Sequence, residues 1–225
     1  MVHPLVKKVL FRSMNAENKN STSMNYAIDY LKDVDSGLTE LLNSFDIEEL
    51  KPEKNYFKSL SRSVIYQQLS TKAAKKITER FVNIFKDKSY PFPYDVIKAD
   101  KTILKSAGLS KSKVEYIKNI AEKFIHDPDL YNNLGDMDDE AVIDNLVKIK
   151  GVGIWTAEMF LIFSLNRMDI FPISDLGVQK GFKQYYKLEK LPELKEVLKK
   201  SMVWSPYRTV VSLYLWRLIE GPFDW

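Results

Sequence analysis

The feature that most constrains this fold is the Gly-Val-Gly segment at residues 151–153, which separates two helix-like patterns of apolar residues. The pattern before it occupies residues 142–147 and follows Asp138, a residue type suited to capping a helix N-terminus. We expect the first helix to end at Gly151, and Gly153 to permit a tight reversal into the second helix. The segment therefore predicts a hairpin of two antiparallel helices.

Helical periodicity continues through the rest of the chain. Apolar residues recur at spacings of three and four from Met24 onward, and no sustained two-residue alternation bounded by hairpin turns is present. A chain of 225 residues with 45% hydrophobic content can bury a sizeable core, in one large domain or two smaller lobes. The sequence therefore predicts an all-α fold. A polar run at residues 15–23 indicates that the N-terminus is a loosely held arm.

The composition excludes several classes of site. The absence of cysteine rules out a disulfide framework, a zinc-thiolate site, an iron–sulfur cluster and a cysteine nucleophile. Only two histidines, His3 and His126, are present, which leaves no credible histidine metal site. No apolar stretch has the length of a signal-peptide core or a transmembrane span, so we expect an intracellular protein that does not enter a membrane.

The predicted hairpin has a chemical use. Backbone N–H groups at the start of its second helix, where the positive end of the helix dipole lies, can bind a phosphate. Glycine at positions 151 and 153 lets the phosphate approach the backbone closely, and Lys148 and Lys150 can add positive charge without reading base sequence. By itself, a bare Gly-x-Gly is more typical of an ordinary helix–helix connection. The sequence context decides between these interpretations.

That context is a longer motif. The string Leu-x-x-Ile-x-Gly-Val-Gly-x-Trp-Thr-Ala at residues 146–157, followed by Phe-Pro-Ile-Ser-Asp at residues 171–175, resembles the helix-hairpin-helix (HhH-GPD) DNA glycosylases. It is most similar to their alkylated-base branch, the 3-methyladenine glycosylase II type. Further matches at residues 62–70 and 204–208 occur in the same order. The resemblance covers roughly residues 57–217, most of the chain.

The resemblance implies a two-lobed helical fold with a DNA-binding cleft between the lobes. A central lobe would span residues 57–169 and contain the hairpin at about 138–164. The second lobe would combine residues 24–56 with 170–225, and residues 1–23 would form the N-terminal arm.

The resemblance also implies an activity: a monofunctional DNA N-glycosylase of base excision repair. Asp175 occupies the position of the family's essential aspartate, where a carboxylate stabilises an oxocarbenium-like sugar and orients the attacking water. The simpler interpretation is that Asp175 caps a helix, and both roles can coexist. Trp155 stands where the bifunctional enzymes have a lysine nucleophile, so the implied reaction leaves an abasic site without strand cleavage.

Several side chains match positions around the flipped base. The implied base pocket contains Trp155, Trp216, Met159 and Leu176, although lone residues of these types are more often part of a core. Aromatic faces suit a cationic alkylpurine such as 3-methyladenine or 7-methylguanine. Gln68 matches the residue that enters the gap left by the flipped nucleotide, and Gln67 and Ser70 would face the minor groove. For Ser70, a helix-capping role is a serious alternative.

Contacts to the DNA backbone and one ion complete the implied site. The candidates for phosphate binding are Lys148, Lys150, Gly151, Gly153, Lys111 and Lys113. For the last two, a solvated lysine face is an equally simple interpretation. In similar proteins the hairpin turn binds a monovalent cation, Na⁺ or K⁺, through main-chain carbonyls that here belong to Val147, Ile149 and Val152. No other cofactor is required.

The expected partner is double-stranded DNA that contains alkylated bases, bound by a monomer. The protein would be DNA-associated, in the cytoplasm of a prokaryote or in a nucleus. An alternative is a glycosylase-like protein that recognises damaged DNA without excising a base, but Asp175 would then have no chemical purpose. A glycosylase for oxidised or mismatched bases is disfavoured because the lysine and a cysteine cluster are absent.

Overall fold

The computed structural model describes residues 23–86 and 88–221, so the predicted N-terminal arm lies outside the described residues except for Ser23. The α-helices in chain order are α1 (Met24–Val34), α2 (Thr39–Ser44), α3 (Tyr56–Tyr66), α4 (Thr71–Asn83), α5 (Pro93–Lys98), α6 (Lys101–Ser106), α7 (Lys111–His126), α8 (Pro128–Asn132), α9 (Asp139–Leu146), α10 (Ile154–Phe163), α11 (Leu176–Tyr185), α12 (Leu194–Ser201) and α13 (Arg208–Glu220). Short 3-10 helices cover Ser36–Leu38, Leu134–Asp136 and Met202–Trp204. The described residues contain no β-strand, which confirms the all-α prediction. None of their helices is long and apolar enough to cross a membrane.

Short polar side chains begin several helices where the sequence indicates. The Asp138 carboxylate accepts a hydrogen bond from the Ala141 backbone N–H at 2.8 Å and so caps α9. The Ser70 hydroxyl accepts one from the Ala73 N–H at 3.4 Å and caps α4. Local sequence therefore sets where both helices begin.

The chain divides into two compact units, one formed by residues 52–165 and the other by residues up to 51 together with those from 166 onward. In the continuous unit, α3 contacts α4, α7 and α10. Leu60 and Val64 of α3 are fully buried, and residues 156–163 of α10 are all buried as well. Because α10 is enclosed over most of its length, the second helix of the predicted hairpin is firmly held.

In the other unit, α13 is the central helix, and it contacts α11, α1 and α2. The crossing with α11 is close, since a β-carbon on Gly181 would overlap the Leu215 carbonyl group. A glycine at this position lets two helix backbones approach each other. The N-terminus of α11, which follows Asp175, is thereby placed against α13.

A partly buried ion pair fixes the segment that leads toward α11. Nε of Arg208 lies 2.6 Å from Oδ1 of Asp169, and Nη2 lies 2.9 Å from Oδ2. The Ser205 hydroxyl also donates to Oδ2 at 2.8 Å. Because donors meet both carboxylate oxygens, the cost of removing these charges from water is offset. The first residue of α13 is thus tied to the connection that precedes Asp175.

Candidate functional site

The predicted hairpin consists of α9, α10 and an irregular turn between them. Helix α9 ends at Leu146, well before Gly151, where the sequence predicted its end. The Ile149 N–H donates to the Leu146 carbonyl and the Val152 N–H donates to the Ile149 carbonyl, each at 3.0 Å. These two successive four-residue turns, each closed by a hydrogen bond between residues three apart, follow the last helical turn, so a compact loop leads from α9 to α10.

The two glycines of the turn differ in their structural role. Gly151 has a φ of +104°, and a β-carbon there would overlap the ring of Tyr116. Gly153 has a φ of −101°, in the extended region, and among the described residues no heavy atom lies within 4 Å of the position of its absent β-carbon. The reversal that we expected at Gly153 is therefore made at Gly151. Gly153 instead leaves the start of α10 open.

The turn carries the two lysines that were predicted to add positive charge, Lys148 and Lys150. Lys148 is exposed, and its Nζ donates to the Asn145 side chain at 3.0 Å. Lys150 is also exposed, while its backbone carbonyl accepts a hydrogen bond from the Asn119 side chain at 3.0 Å. Both ammonium groups therefore lie at the surface, beside a backbone that α7 holds in place. Their contact with phosphate stays a prediction.

The Gln67–Ser70 segment joins α3 to α4. Gln68 is exposed and has a φ of +57°, which is uncommon for a residue other than glycine. Nε2 of Gln67 donates to the Gly151 carbonyl at 3.3 Å and to the Thr156 hydroxyl at 3.0 Å. The prediction gave Gln67 a minor-groove contact, whereas the structure directs its amide nitrogen to the hairpin.

Lys113 and Lys111, both predicted to bind phosphate, have different surroundings. Nζ of Lys113 donates to the carbonyls of Ile65 and Gln67, each at 2.8 Å. Partial burial lowers the pKa of this ammonium group from its ordinary value. Lys111 is exposed at the first position of α7. The structure therefore uses Lys113 to bind the C-terminal end of α3.

Asp175 lies at the N-terminus of α11 and has two hydrogen-bond donors from its own unit. Its Oδ1 accepts from the Val178 backbone N–H at 2.8 Å and from Nε1 of Trp216 at 2.7 Å. The helix-capping interpretation of Asp175 is confirmed. Trp216, which is only 3% exposed, adds a second fixed contact to the same oxygen. Both predicted functional residues therefore meet, although they are 41 positions apart.

Gly177 makes this pairing sterically possible. A β-carbon at this position would lie 2.8 Å from Cδ1 of Trp216 and 3.0 Å from Oδ1 of Asp175. Such distances are shorter than ordinary van der Waals contact, so any larger residue would displace the indole or the carboxylate. The first turn of α11 is thus shaped around the hydrogen bond between Asp175 and Trp216.

Residues 61–206 match the sequence model of a protein family. The family is described as HhH-GPD superfamily base excision DNA repair protein. This range includes the hairpin and Asp175 and covers more than half of the chain. The chain belongs to this family. The resemblance inferred from the sequence motifs is therefore confirmed.

Relatives of this HhH-GPD protein have consistent names. The DNA-3-methyladenine glycosylase 1 of Schizosaccharomyces pombe is 34% identical over 200 residues, which cover 87% of this chain and 88% of the relative. The DNA-3-methyladenine glycosylase of Saccharomyces cerevisiae is 33% identical, with 92% and 83% covered. The solved structure of the S. pombe 3-methyladenine DNA glycosylase Mag1 in complex with abasic DNA matches with a TM-score of 0.78 at 34% identity, covering 85% of this chain and 95% of Mag1.

The remaining predicted pocket residues of this HhH-GPD chain differ in exposure. Trp155 is partly buried in the first turn of α10, and Met159 is 2% exposed on the same helix. Leu176 is 52% exposed in the first turn of α11, next to Asp175. An apolar side chain as exposed as Leu176 is available to a ligand, whereas Met159 belongs to the core of its unit. Their roles in base binding stay predictions.

Three supporting residues of the HhH-GPD site were not singled out from the sequence. Tyr116 packs on Gly151, Thr156 accepts the Gln67 amide, and Gly177 makes room for Trp216. A threonine at the third position of a helix that follows a glycine is unremarkable by pattern alone. Their partners lie 35 or more positions away in the chain, so only folding identifies them, with the Gln67–Thr156 pair separated by 89 residues.

Metal binding by side chains has no support in residues 23–86 and 88–221, since no cluster of three or more His, Cys, Asp or Glu residues is present there. The predicted cation would instead use main-chain carbonyls of the hairpin. Of these, the Ile149 carbonyl already accepts the Val152 N–H. A carbonyl oxygen has two lone pairs, so this bond leaves capacity for an ion.

Proposed function

We propose that this protein is a DNA N-glycosylase of base excision repair that flips alkylated purines out of duplex DNA and excises them. The proposal rests above all on Asp175, a carboxylate fixed by Val178 and Trp216 at the start of a helix. It stands in a chain of the HhH-GPD family whose relatives of similar length are named DNA-3-methyladenine glycosylases. The substrates are bases of the 3-methyladenine and 7-methylguanine type.

The reaction needs one negative charge near the sugar. The bond between C1′ and the base nitrogen breaks, and its electron pair leaves with the base, which alkylation has made cationic and therefore a good leaving group. Positive charge develops on the sugar, where the Asp175 carboxylate stabilises it. A water oxygen then bonds to C1′ and loses a proton, which gives an abasic site. Two donors on Oδ1 keep the carboxylate in place during these steps.

The enzyme does not cleave the DNA strand. A bifunctional glycosylase needs an amine that attacks C1′ and forms a Schiff base. The corresponding position here is Trp155, whose indole cannot act as such a nucleophile. The abasic product is therefore left intact.

Base selection comes from aromatic and apolar side chains. The indole faces of Trp155 and Trp216 would favour a cationic alkylpurine over a neutral base through cation–π attraction of about 0.5–2 kcal/mol. Of the other two proposed pocket residues, Leu176 is exposed and would contact the base directly, whereas Met159 lies in the core of its unit and would act only through its neighbours. Such weak selection is sufficient because alkylation itself activates the base for departure.

DNA is bound as a duplex by one copy of the chain. The open start of α10 at Gly153, together with Lys148 and Lys150, supports a phosphate contact. Gln68 would enter the gap that the flipped nucleotide leaves. A Na⁺ or K⁺ ion bound by the hairpin carbonyls would further stabilise the turn next to the phosphate.

Incubation with methylated duplex DNA tests the proposal. Released base is measured by chromatography, and strand breaks are measured separately before and after alkali treatment. We expect free 3-methyladenine and 7-methylguanine, with strands that break only after alkali. Binding without base release would instead support a non-catalytic reader of damaged DNA, and breaks without alkali would contradict the absence of lyase activity.

A further inference from the structure

The backbone of Gln68 adopts a conformation that its surroundings must maintain. Its φ of +57° lies in the left-handed region, which residues other than glycine, asparagine and aspartate adopt infrequently. The Leu69 N–H closes the turn by donating to the Tyr66 carbonyl at 3.2 Å. Gln68 itself is exposed. The turn thus projects one polar side chain outward from the end of α3.

Lys113 holds the residue immediately before Gln68. Its Nζ lies 2.8 Å from the carbonyl oxygens of both Ile65 and Gln67, at the C-terminal end of α3. A cation at a helix C-terminus is favoured by the helix dipole and satisfies carbonyls that have no partner within the helix. The Gln67 carbonyl belongs to the peptide unit that joins Gln67 to Gln68. Lys113 therefore fixes the orientation of that peptide unit.

The side chain of Gln67 makes a second connection, to the hairpin. Its Nε2 donates to the Gly151 carbonyl at 3.3 Å and to Oγ1 of Thr156 at 3.0 Å. Thr156 is only 1% exposed on the enclosed helix α10, so this end of the bond is rigid. The residue before Gln68 is thus tied to the same turn that presents Gly153.

We infer that Lys113 and Gln67 are positioning residues. They hold the Gln68 turn at a fixed position relative to the hairpin. When the hairpin binds a DNA phosphate, Gln68 then enters the gap that the flipped nucleotide leaves in the duplex. This inference rests on the proposed function. It assigns Lys113 to the protein's own carbonyls and gives the phosphate role to Lys111, which is exposed at the start of α7. One bound phosphate then fixes where along the duplex the Gln68 side chain is inserted.

A fluorescent duplex measures insertion without requiring catalysis. The duplex carries a tetrahydrofuran abasic analogue, with 2-aminopurine opposite it, whose fluorescence rises when an inserted side chain disturbs its stacking. Wild-type protein at saturating concentration should give a clear rise, and Gln68→Ala should abolish it. We expect Lys113→Met and Thr156→Val to lower the rise at saturation by about fivefold. Lys113→Arg, which retains the cation, should recover most of it.

Two further measurements separate positioning from other roles. In a double-mutant cycle, Lys113→Met combined with Gln68→Ala should lose no more 7-methylguanine release than Gln68→Ala alone, because Lys113 acts through Gln68. The matched variant Lys111→Met should lower the slope of log K against log salt by about one, whereas Lys113→Met should leave it unchanged. Thermal unfolding of each variant establishes that it is folded.

Several results would overturn the inference: wild-type protein that binds without a fluorescence rise, a Lys113→Met variant with the full rise, or additive losses in the cycle. Failure of the proposed function looks different, because wild-type protein would then release no base from methylated DNA. The fluorescence rise does not depend on base release, so the two failures are distinguishable.

Discussion

Two helix N-termini in this protein, one in each compact unit, differ in their local charge. Helix α10 follows Gly153, which has no side chain to accept the first N–H groups of the helix. Helix α11 follows Asp175, whose carboxylate accepts the Val178 N–H. The dipole places partial positive charge at both helix starts. At α10 it is left for an external anion, whereas at α11 a fixed carboxylate meets it and adds a full negative charge.

The difference shows that the residue before a helix decides which charge the helix N-terminus can attract. A phosphate needs exposed N–H groups and close access, which the absent side chain of Gly153 would allow. In the proposed reaction, a developing sugar cation needs a fixed negative charge, which Asp175 would supply. Four substitutions test this comparison.

Asp175→Asn should have the largest effect, because it removes the charge and keeps a capping side chain. We expect single-turnover base release from methylated duplex DNA to fall about 100- to 1,000-fold, in line with the loss of one fixed electrostatic contact to a transition state. The melting temperature should change little, since asparagine caps helices about as well as aspartate. Near-normal release by this variant would mean that base release does not depend on the negative charge of Asp175.

Gly151→Ala should destabilise the hairpin strongly. Alanine at a positive φ costs about 1–2 kcal/mol, and the overlap with the Tyr116 ring adds to that cost. We expect the free energy of unfolding, measured with urea, to fall by roughly 2–4 kcal/mol. A loss below about 0.5 kcal/mol would mean that the turn relaxes without needing glycine.

Trp216→Phe should weaken catalysis by removing the Nε1 donor to Asp175. A hydrogen bond to a charged group contributes about 1.5–3 kcal/mol, so we expect base release to fall roughly 10-fold or more. Trp204→Phe is a matched control, because Nε1 of Trp204 donates to Oδ2 of Asp35 at 2.9 Å in the same unit. Equal losses of release in both variants, at equal folded fractions, would assign the effect of Trp216 to stability alone.

Gly153→Ala should have the smallest effect, and only on DNA binding. No described residue crowds the position of the new β-carbon, so the free energy of unfolding should stay within about 0.5 kcal/mol of wild type. The β-carbon would hinder a phosphate at the start of α10, and a loss of about 1 kcal/mol corresponds to roughly fivefold weaker binding. Fluorescence anisotropy with a labelled duplex measures it. Unchanged affinity would indicate that the phosphate binds elsewhere.

Local patterns predicted much of this structure correctly. Helical periodicity gave the all-α class, and short polar residues gave the starts of α4 and α9 at Ser70 and Asp138. The end of α9 was predicted less well, because glycine at position 151 marks the left-handed residue of the loop and not the last helical residue. Periodicity identifies helices well, but it does not separate a helix end from a following series of turns.

Contacts between distant residues account for what the sequence did not reveal. Lys113 looked like a surface lysine, yet it binds carbonyls 46 and 48 positions away. Gln67 looked like a DNA contact, yet its amide reaches the hairpin across 84 residues. No local sequence pattern predicts the contact of Lys113 or that of Gln67, because each contact forms only when α3, α7 and α10 pack together.

The sequence by itself determined the helical class, the glycine hairpin and the carboxylate at position 175, because periodicity, glycine and capping residues act on their immediate neighbours. The tertiary structure alone decided that Trp216 contacts Asp175, that Gly151 and Gly153 have different roles, and that Lys113 and Gln67 hold the Gln68 turn. The physical reason is that a hydrogen bond or a steric overlap depends on positions in space, which packing sets for residues that are far apart in the chain.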